Sequence, residues 1–497
     1  MSVKGVPVPP RPSAMIESLR SVGYETTTAV ADIIDNSISA RATEIRVDFH
    51  WDRKNSVVTI LDNGTGMSTE ELLEAMRLGT KGPREKRDKS DLGRFGLGLK
   101  TASFSQCLRF TVITKQKRSQ PSSYCWDLDH VRKTESWEVL PGQGKAVETA
   151  TARLGSSGTV ILWEKLDRVC DVESDHDDAF VTQEGFLNLV ATVEAHLGTI
   201  FHRFLSGPGK VRLFMNGNAV KAWDPFLADH PASQNPQRSD IAFKSAQISV
   251  SCHVLPHHTK LSETEWKEAG GHAGWVANQG FYVYRNRRLL MAGDWLGLGM
   301  RKEEHYKLAR ISIDIPNTLD QYWDLDVKKS RAVVPHGLKR SLTNLAKATR
   351  ERAAEVYRHR GKVISRATAK ASFVWIQKTV RSKLHYEISR EHPTVAVVLK
   401  ATGGKKSTVE ILLRLIEESI PVPAIVLECS QKEDALALPF EGVQEAEIYK
   451  VFAQSLSAMI ENGMSKTEAL NHLRNAEPFN AYPEVLENLT EYMESRR

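Results

Sequence analysis

The stretch Gly93-Arg94-Phe95-Gly96-Leu97-Gly98-Leu99-Lys100 constrains this chain more than any other. Gly93, Gly96 and Gly98 let the backbone turn tightly, and a helix is expected to follow from near Leu97 to Gln106. Three further polar signals keep it company: Asp32-Ile33-Ile34-Asp35-Asn36, Asp62-Asn63-Gly64-Thr65-Gly66-Met67 and Gly158-Thr159-Val160. The glycine run is not a dinucleotide fingerprint, because no strand leads directly into it and the βαβ unit with its later acidic residue is missing. Nor does it match the Gly-x4-Gly-Lys-Ser/Thr of a P-loop.

Each signal has a chemical reading and a bland one. On a helix over Thr26–Ala40, at about 100° per residue, Val30, Ile33, Ile34 and Ser37 share one face. Asp32, Asp35, Asn36 and Ser39 share the other. The neutral Asn36 oxygen suits Mg²⁺, and Asp32, one turn earlier, is placed to polarise an attacking water. Taken alone, the same pattern is an ordinary amphipathic surface helix. Asp62 closes a β-like run, where a carboxylate can accept from an adenine amino group. Gly64 and Gly66 permit close backbone approach, although Asp-Asn-Gly is also a common turn. N–H groups at the start of the Leu97 helix suit phosphate, with Lys81 and Lys100 adding positive charge. The alternative is a flexible, solubilising loop. In this order and spacing the four signals together indicate an ATP site.

At 497 residues the chain exceeds one core, and roughly two to four domains are expected. The pattern over 13–182 predicts an α/β (α+β) sandwich, with helices on one face of a mixed or antiparallel sheet. Its strand candidates are Glu44–His50, Ser56–Leu61, Leu108–Thr114, Tyr124–Leu128, Ser136–Leu140 and Thr159–Glu164. Gly79–Arg94 reads as a mobile surface loop. A long helix from Gln183 opens a second α/β domain over 183–335, with strands near Val211–Asn216, Ile248–Leu255, Phe281–Arg285 and Ala309–Asp314. A basic helical region, 336–390, and a mostly helical region, 391–497, follow. From Lys339 to Arg390 there are fourteen Lys and Arg against three Glu. No apolar run approaches the ~20 residues of a membrane span, and Met1 to Pro12 lacks the apolar core of a signal peptide. The five cysteines form no Cys-x-x-Cys pair, which fits a reducing cytoplasm.

The four signals resemble the GHKL superfamily, named for gyrase, the heat-shock chaperone, histidine kinases and MutL. The resemblance covers about residues 13–335. It implies that Asn36 is the Mg²⁺ ligand and Asp62 the adenine-reading carboxylate. Gly64, Gly66 and Met67 would wall the adenine, with Thr159 beside it. Gly93, Gly96, Gly98 and Leu99 would form the phosphate loop. Within the superfamily, Leu19-Arg20-x-x-Gly23-Tyr24, Asp35-Asn36-Ser37 and the Gly-Leu-Lys-Thr-Ala-Ser run from Gly98 are similar to MORC-type ATPases. Gly79-Thr80-Lys81 resembles the lysine-bearing lid entrance of chaperone-like and MORC-like members. The 183–335 domain resembles the family's transducer, where Lys329, with Lys328 as the alternative, would reach the γ-phosphate. One departure is that Asp32 stands where the family carries a glutamate base. The carboxylate is pulled back by about one C–C bond against a working contact of ~2.6–3.2 Å, so slow hydrolysis is expected.

The expectation is a Mg²⁺-dependent ATPase acting as an ATP-gated, dimerising clamp. The rival is a nucleotide-binding scaffold with little turnover that regulates a partner. A histidine kinase would need a helical hairpin bearing a phospho-acceptor ahead of Asp32, and no histidine precedes His50. Arg350, Arg358, Lys362 and Arg366 are candidate contacts to the backbone of double-stranded DNA. A solvated basic helix packing on the acidic C-terminal region is the alternative. By analogy with MORC-like bacterial proteins the setting would be restriction or phage defence. Any cutting or unwinding would fall to a partner nuclease or helicase.

Overall fold

The computed structural model describes residues 8, 10–21, 23–79, 98–169, 183–207, 209–234, 236–244, 246–320, 322–323, 333–358, 373–380, 383–401, 406–422, 424–425, 440, 442–461 and 463–494. Residues 1–363 and 364–497 form two compact units.

The first unit opens on an eight-stranded mixed sheet. Its strands are β1 (Glu44–His50), β2 (Val57–Asp62), β3 (Arg109–Lys115), β4 (Ser122–Asp127), β5 (Leu140–Pro141), β6 (Gly158–Glu164), β7 (Arg212–Met215) and β8 (Asn218–Ala219). They lie in the order β5-β4-β3-β6-β2-β1-β7-β8. Side chains alternate across a strand, so Ile45, Val47 and Phe49 of β1 point the same way. They join Val58, Ile60, Phe110, Val112, Ile161 and Trp163 in one core. Fully burying such a side chain contributes about 1.5–3 kcal/mol.

The helices of this part are α1 (Pro12–Arg20), α2 (Thr26–Ser39), α3 (Thr69–Met76), α4 (Gly98–Phe104), α5 (Leu128–Thr134), α6 (Lys145–Ala152), α7 (Gln183–Ile200) and α8 (His202–Leu205). Val30, Ile33 and Ile34 of α2 and Val193 and Leu197 of α7 complete the core. The α6 helix covers part of the opposite sheet face, where Val147 and Ala150 meet Ile113, Val160 and Leu162. Helices therefore lie on both faces, not on one as expected. Ser68 starts α3 with a capping box shared with Glu71.

Two boundaries differ from the sequence reading. The expected strand over Ser136–Leu140 shrinks to Leu140–Pro141, because α5 runs to Thr134 and Glu135 takes a left-handed φ of 47°. The strand expected to open the second domain, near Val211, instead pairs in parallel with β1. The α7 helix supplies the crossover that a parallel pairing requires.

A five-stranded sheet follows: β9 (Gln237–Phe243), β10 (Ala246–Val254), β11 (Gly280–Arg285), β12 (Arg288–Asp294) and β13 (Ala309–Ile315), ordered β12-β11-β13-β10-β9. Helices α9 (Glu263–Gly270) and α10 (Gly274–Ala277) bring Trp266 and Trp275 into a stack at 3.8 Å. Strand β11 is buried throughout. Phe281 and Val283 enter the core of this sheet, whereas Tyr282 and Tyr284 enter the core of the first. The sheet is capped by α11 (His336–Arg358), whose Leu338, Leu342, Ala346 and Ala353 form a buried stripe.

The second unit is mainly helical, but not at its start. The expected helix through 385 gives way to a hairpin of β14 (Trp375–Val380) and β15 (Lys383–Ile388). The frequent basic residues here masked a short alternating strand pattern. Helices α12 (Pro393–Ala401) and α13 (Lys406–Glu418) follow. Three more, Glu445–Glu461, Lys466–Arg474 and Pro483–Glu494, enclose a separate core of Val397, Phe452, Leu456, Met459, Leu473 and Leu489. Among the described residues no helix is long and apolar enough to cross a membrane.

Candidate functional site

The α2 helix is more deeply set than a surface helix. Residues Ala29 to Asp35 are all buried, whereas Asn36 is exposed. Asp32 is 4% exposed and Asp35 2%. The two carboxylates of the polar face thus turn inward, whereas Asn36 and Ser39 stay exposed.

One turn beyond Asp32 the helix meets the end of β2. The Ser37 hydroxyl donates to Asp62 Oδ2 at 2.9 Å, and the Gly64 N–H donates to Asp62 Oδ1 at 2.8 Å. Burial pushes the Asp62 carboxyl above the usual carboxylate range, while hydrogen bonds from Gly64, Ser37 and Thr159 pull it back. Asp62 faces Thr159 across the β2–β6 pairing. The Thr159 and Thr114 hydroxyls lie 3.1 Å apart, and Thr114 Oγ1 accepts from the Met67 N–H at 2.9 Å. Asn63 serves the loop, its Oδ1 accepting from the Thr43 and Glu44 N–H groups.

The glycines here are sterically required. A Cβ on Gly158, whose φ is +145°, would stand 2.1 Å from the Asp62 carbonyl oxygen. One on Gly66, at φ +67°, would stand 2.0 Å from the Lys115 carbonyl oxygen. The result is a carboxylate, two hydroxyls and close-lying backbone at one sheet end. This set suits a flat ring with an exocyclic amino group.

The start of α4 lies near α2: among the described residues, the nearest neighbour of a Cβ on Gly98 would be Asp32 Oδ2, at 4.0 Å. Asp32 itself accepts from the Tyr24 hydroxyl at 3.1 Å. Arg288 arrives from β12, with Nη2 3.9 Å from Asp32 Oδ1 and Nε 3.2 Å from Asp35 Oδ2. Leu99 is half-buried against the first core. Lys100, expected at phosphate, is buried and donates to the Ala75 carbonyl at 2.9 Å, tying α4 to α3. Burial pulls its pKa down to about 8.

The structure therefore brings together Asp32, Asn36, Asp62, Gly64, Gly66, Met67, Gly98 and Thr159. Lys81, Gly93, Gly96, Leu97, Lys328 and Lys329 lie outside the described residues. Sequence reasoning missed the roles of Ser37, Thr114, Asp35 and Arg288. Arg288 gave no local signal, since it acts on a helix 253 residues away. Among the described residues no cluster of three or more His, Cys, Asp or Glu is arranged to hold a metal. A hydrated Mg²⁺ bound through one carboxamide and a ligand's phosphates needs none.

The expected DNA residues divide. Arg350 is enclosed: its guanidinium lies 3.8 Å from the Tyr306 ring centroid and 5.2 Å from that of Trp295, and it pairs with Glu303 at 3.3 Å. These partners belong to the same compact unit, so its charge is used within the fold. Arg358 ends α11, and Lys362 and Arg366 lie outside the described residues. On α11, Lys339, Arg340 and Lys347 are exposed.

A family model of histidine kinase-, DNA gyrase B- and HSP90-like ATPases matches residues 24–159. These residues include α2, the Asp62 loop, α4 and Thr159. Relatives align over the same kind of length. Over 89 residues the chain is 29% identical to the ATPase morc-1 of Caenorhabditis elegans, covering 18% of this chain and 10% of that protein. Over 120 residues it is 32% identical to the chaperone protein HtpG of Wolinella succinogenes, covering 22% and 18%. Over 96 residues it is 29% identical to ATPase MORC2B of Mus musculus, covering 18% and 9%. The N-terminal domain belongs to the GHKL superfamily. Within that superfamily the chain lies close to the MORC-like ATPases. The matched segments span less than a fifth of each of these three relatives.

Proposed function

We propose that this protein is a Mg²⁺-dependent ATPase that works as an ATP-gated, dimerising clamp. The observation that carries the reading is the convergence on Asp62. A buried carboxylate is held by Ser37 and Gly64 beside Thr159, in backbone too close for any residue but glycine at 158. Asp62 would accept from the adenine amino group, with Gly64, Gly66 and Met67 along the ring. Asn36, exposed just after the buried run Ala29–Asp35, would take the metal. Bound Mg²⁺ would neutralise phosphate charge as the γ-phosphoryl leaves. Asp32, held by Tyr24, would accept the proton of the attacking water, slowly because its side chain is short. Gly98 and Leu99 belong to the phosphate loop in this reading, together with Lys81, Gly93, Gly96 and Leu97, and Lys329 supplies the γ-phosphate contact.

Nucleotide binding would join two subunits, and hydrolysis would release them; the expected Gly79–Arg94 loop lies, from residue 80 on, outside the described residues. The client we favour is duplex DNA, held by the basic segment 339–390, in a defence setting with a partner nuclease or helicase. The exposed Lys339, Arg340 and Lys347 support this, and Arg350 adds nothing to it. The test is calorimetric titration of MgATP into wild type and Asp62→Asn, with mass measured beside it. Binding that is lost in the variant, and a dimer driven by a non-hydrolysable analogue in wild type, are expected. Equal binding by both proteins would remove the site assignment.

A further inference from the structure

Strands β11 and β12 are joined by Asn286 and Arg287, both with positive φ, 49° and 70°. Two left-handed residues make a tight hairpin whose twist matches its strands. Arg285 and Arg288 face each other at its mouth. Each of the three arginines there is committed to a different element. Arg285 donates from Nε to both Asp320 oxygens at 2.9 Å. Arg287 donates to the Arg203 carbonyl and lies 4.9 Å over the Phe204 ring. Arg288 turns to the first sheet's helix: Nε reaches both Asp35 oxygens at 3.3 and 3.2 Å, Nη2 stands 3.9 Å from Asp32, and Nη1 donates to the Leu289 carbonyl at 2.8 Å.

One guanidinium thus serves two carboxylates one turn apart on α2, with all three residues at most 4% exposed. Buried ion pairs add little net stability, because desolvation offsets the attraction. What they do supply is geometry. Arg288 is fixed by its own strand, so the position of Asp32 is tied to the second sheet through a rigid hairpin.

We propose that Arg288 is a positioning residue for hydrolysis. It holds Asp32 in its working orientation through the guanidinium shared with Asp35, so that a shift of the second sheet moves the base. The inference rests on the reading of Asp32 as the base that takes a proton from water. Arg288 touches neither nucleotide nor water in this account. Its loss should therefore lower kcat while leaving nucleotide affinity in place.

The experiment measures kcat, KM and calorimetric MgATP affinity for the full chain and for Arg288→Gln, Arg288→Lys, Asp35→Asn, the Arg288→Gln/Asp35→Asn double variant and Asp32→Asn. Small misplacements of a reacting group are costly in rate, so Arg288→Gln should lower kcat by about tenfold or more with affinity within about threefold. Lysine offers a point charge in place of a fork and cannot serve both carboxylates equally. Arg288→Lys should therefore lose less than the glutamine variant but still about threefold. The double variant should cost less than the product of the two single effects. Turnover surviving in Asp32→Asn would sink the base assignment, and this inference with it. Turnover lost in Asp32→Asn but of wild-type rate in Arg288→Lys and Arg288→Gln would sink the inference alone. A fall in affinity and melting temperature with kcat unchanged would make Arg288 merely structural. If Arg288→Gln does not fold, a wild-type kcat in Arg288→Lys is sufficient to overturn the claim.

Discussion

Ser37 and Asp62 are joined by a 2.9 Å hydrogen bond that ties the helix of Asp32 and Asn36 to the end of β2. Through it, the residues proposed for metal and water and the residue proposed for adenine keep one geometry.

Asn36→Ala should weaken MgATP binding by about tenfold and leave binding in the presence of a chelator unchanged. Outer-shell partners of a metal already carry effects of about 10–100-fold, and a direct ligand should cost at least the lower end of that range. Asn36 is exposed on a helix where alanine is the better former, so stability should stay level or rise by about 0.5 kcal/mol. Calorimetry with and without Mg²⁺ checks this. An equal loss in both conditions contradicts the metal role.

Gly158→Ala and Gly98→Ala should behave oppositely. The first places a Cβ 2.1 Å from backbone at a φ of +145°, and should cost about 3 kcal/mol or more along with nucleotide binding. Among the described residues the second meets only Asp32 Oδ2, at 4.0 Å, and it should fold normally. Thermal melts of the two variants provide the comparison.

Lys100 makes a pH-dependent contribution. Its pKa falls from the ordinary 10.5 to about 8 in the fold. Between those values the unfolded chain binds more protons, so stability should rise with pH. The gain is at most ~3 kcal/mol over the window and is absent below about pH 8. Lys100→Met should flatten that rise in denaturant titrations from pH 7.5 to 10, and an unchanged slope would place the lysine in solvent.

Reversing Lys339, Arg340 and Lys347 to Glu should weaken duplex DNA binding across sequences and flatten its salt dependence. ATP affinity should hold. Arg350→Ala should instead lower stability by about 1–2 kcal/mol, through its lost contacts with the Tyr306 and Trp295 rings, with little change in DNA affinity. Loss of stability without loss of DNA binding in the triple variant would end the DNA role for α11.

Much of the first domain was legible because its signals are local. Asp62 after a β run, glycines where no Cβ fits and a polar helix face can all be read from neighbours in sequence. The depth of α2 was not legible, since Asp32 and Asp35 look like a solvated face until Arg288 is seen beside both. A partner 253 residues away leaves no periodic trace. Lys100 shows the same limit: a charge beside a glycine turn suggests phosphate, and nothing in the sequence signals that its ammonium donates to a carbonyl of α3. The hairpin at β14–β15 was hidden by charge, and the true edge of the first sheet by a parallel pairing made across a long helix.

The most direct test of the account is Asp32→Asn, assayed for MgATP binding and turnover on the same preparation. The substitution keeps the side chain's size and its contact with Tyr24, and removes the ability to take a proton. The account predicts affinity within about threefold of wild type and turnover reduced by about a hundredfold or more. Hydrolysis at the wild-type rate, with binding intact, would contradict it.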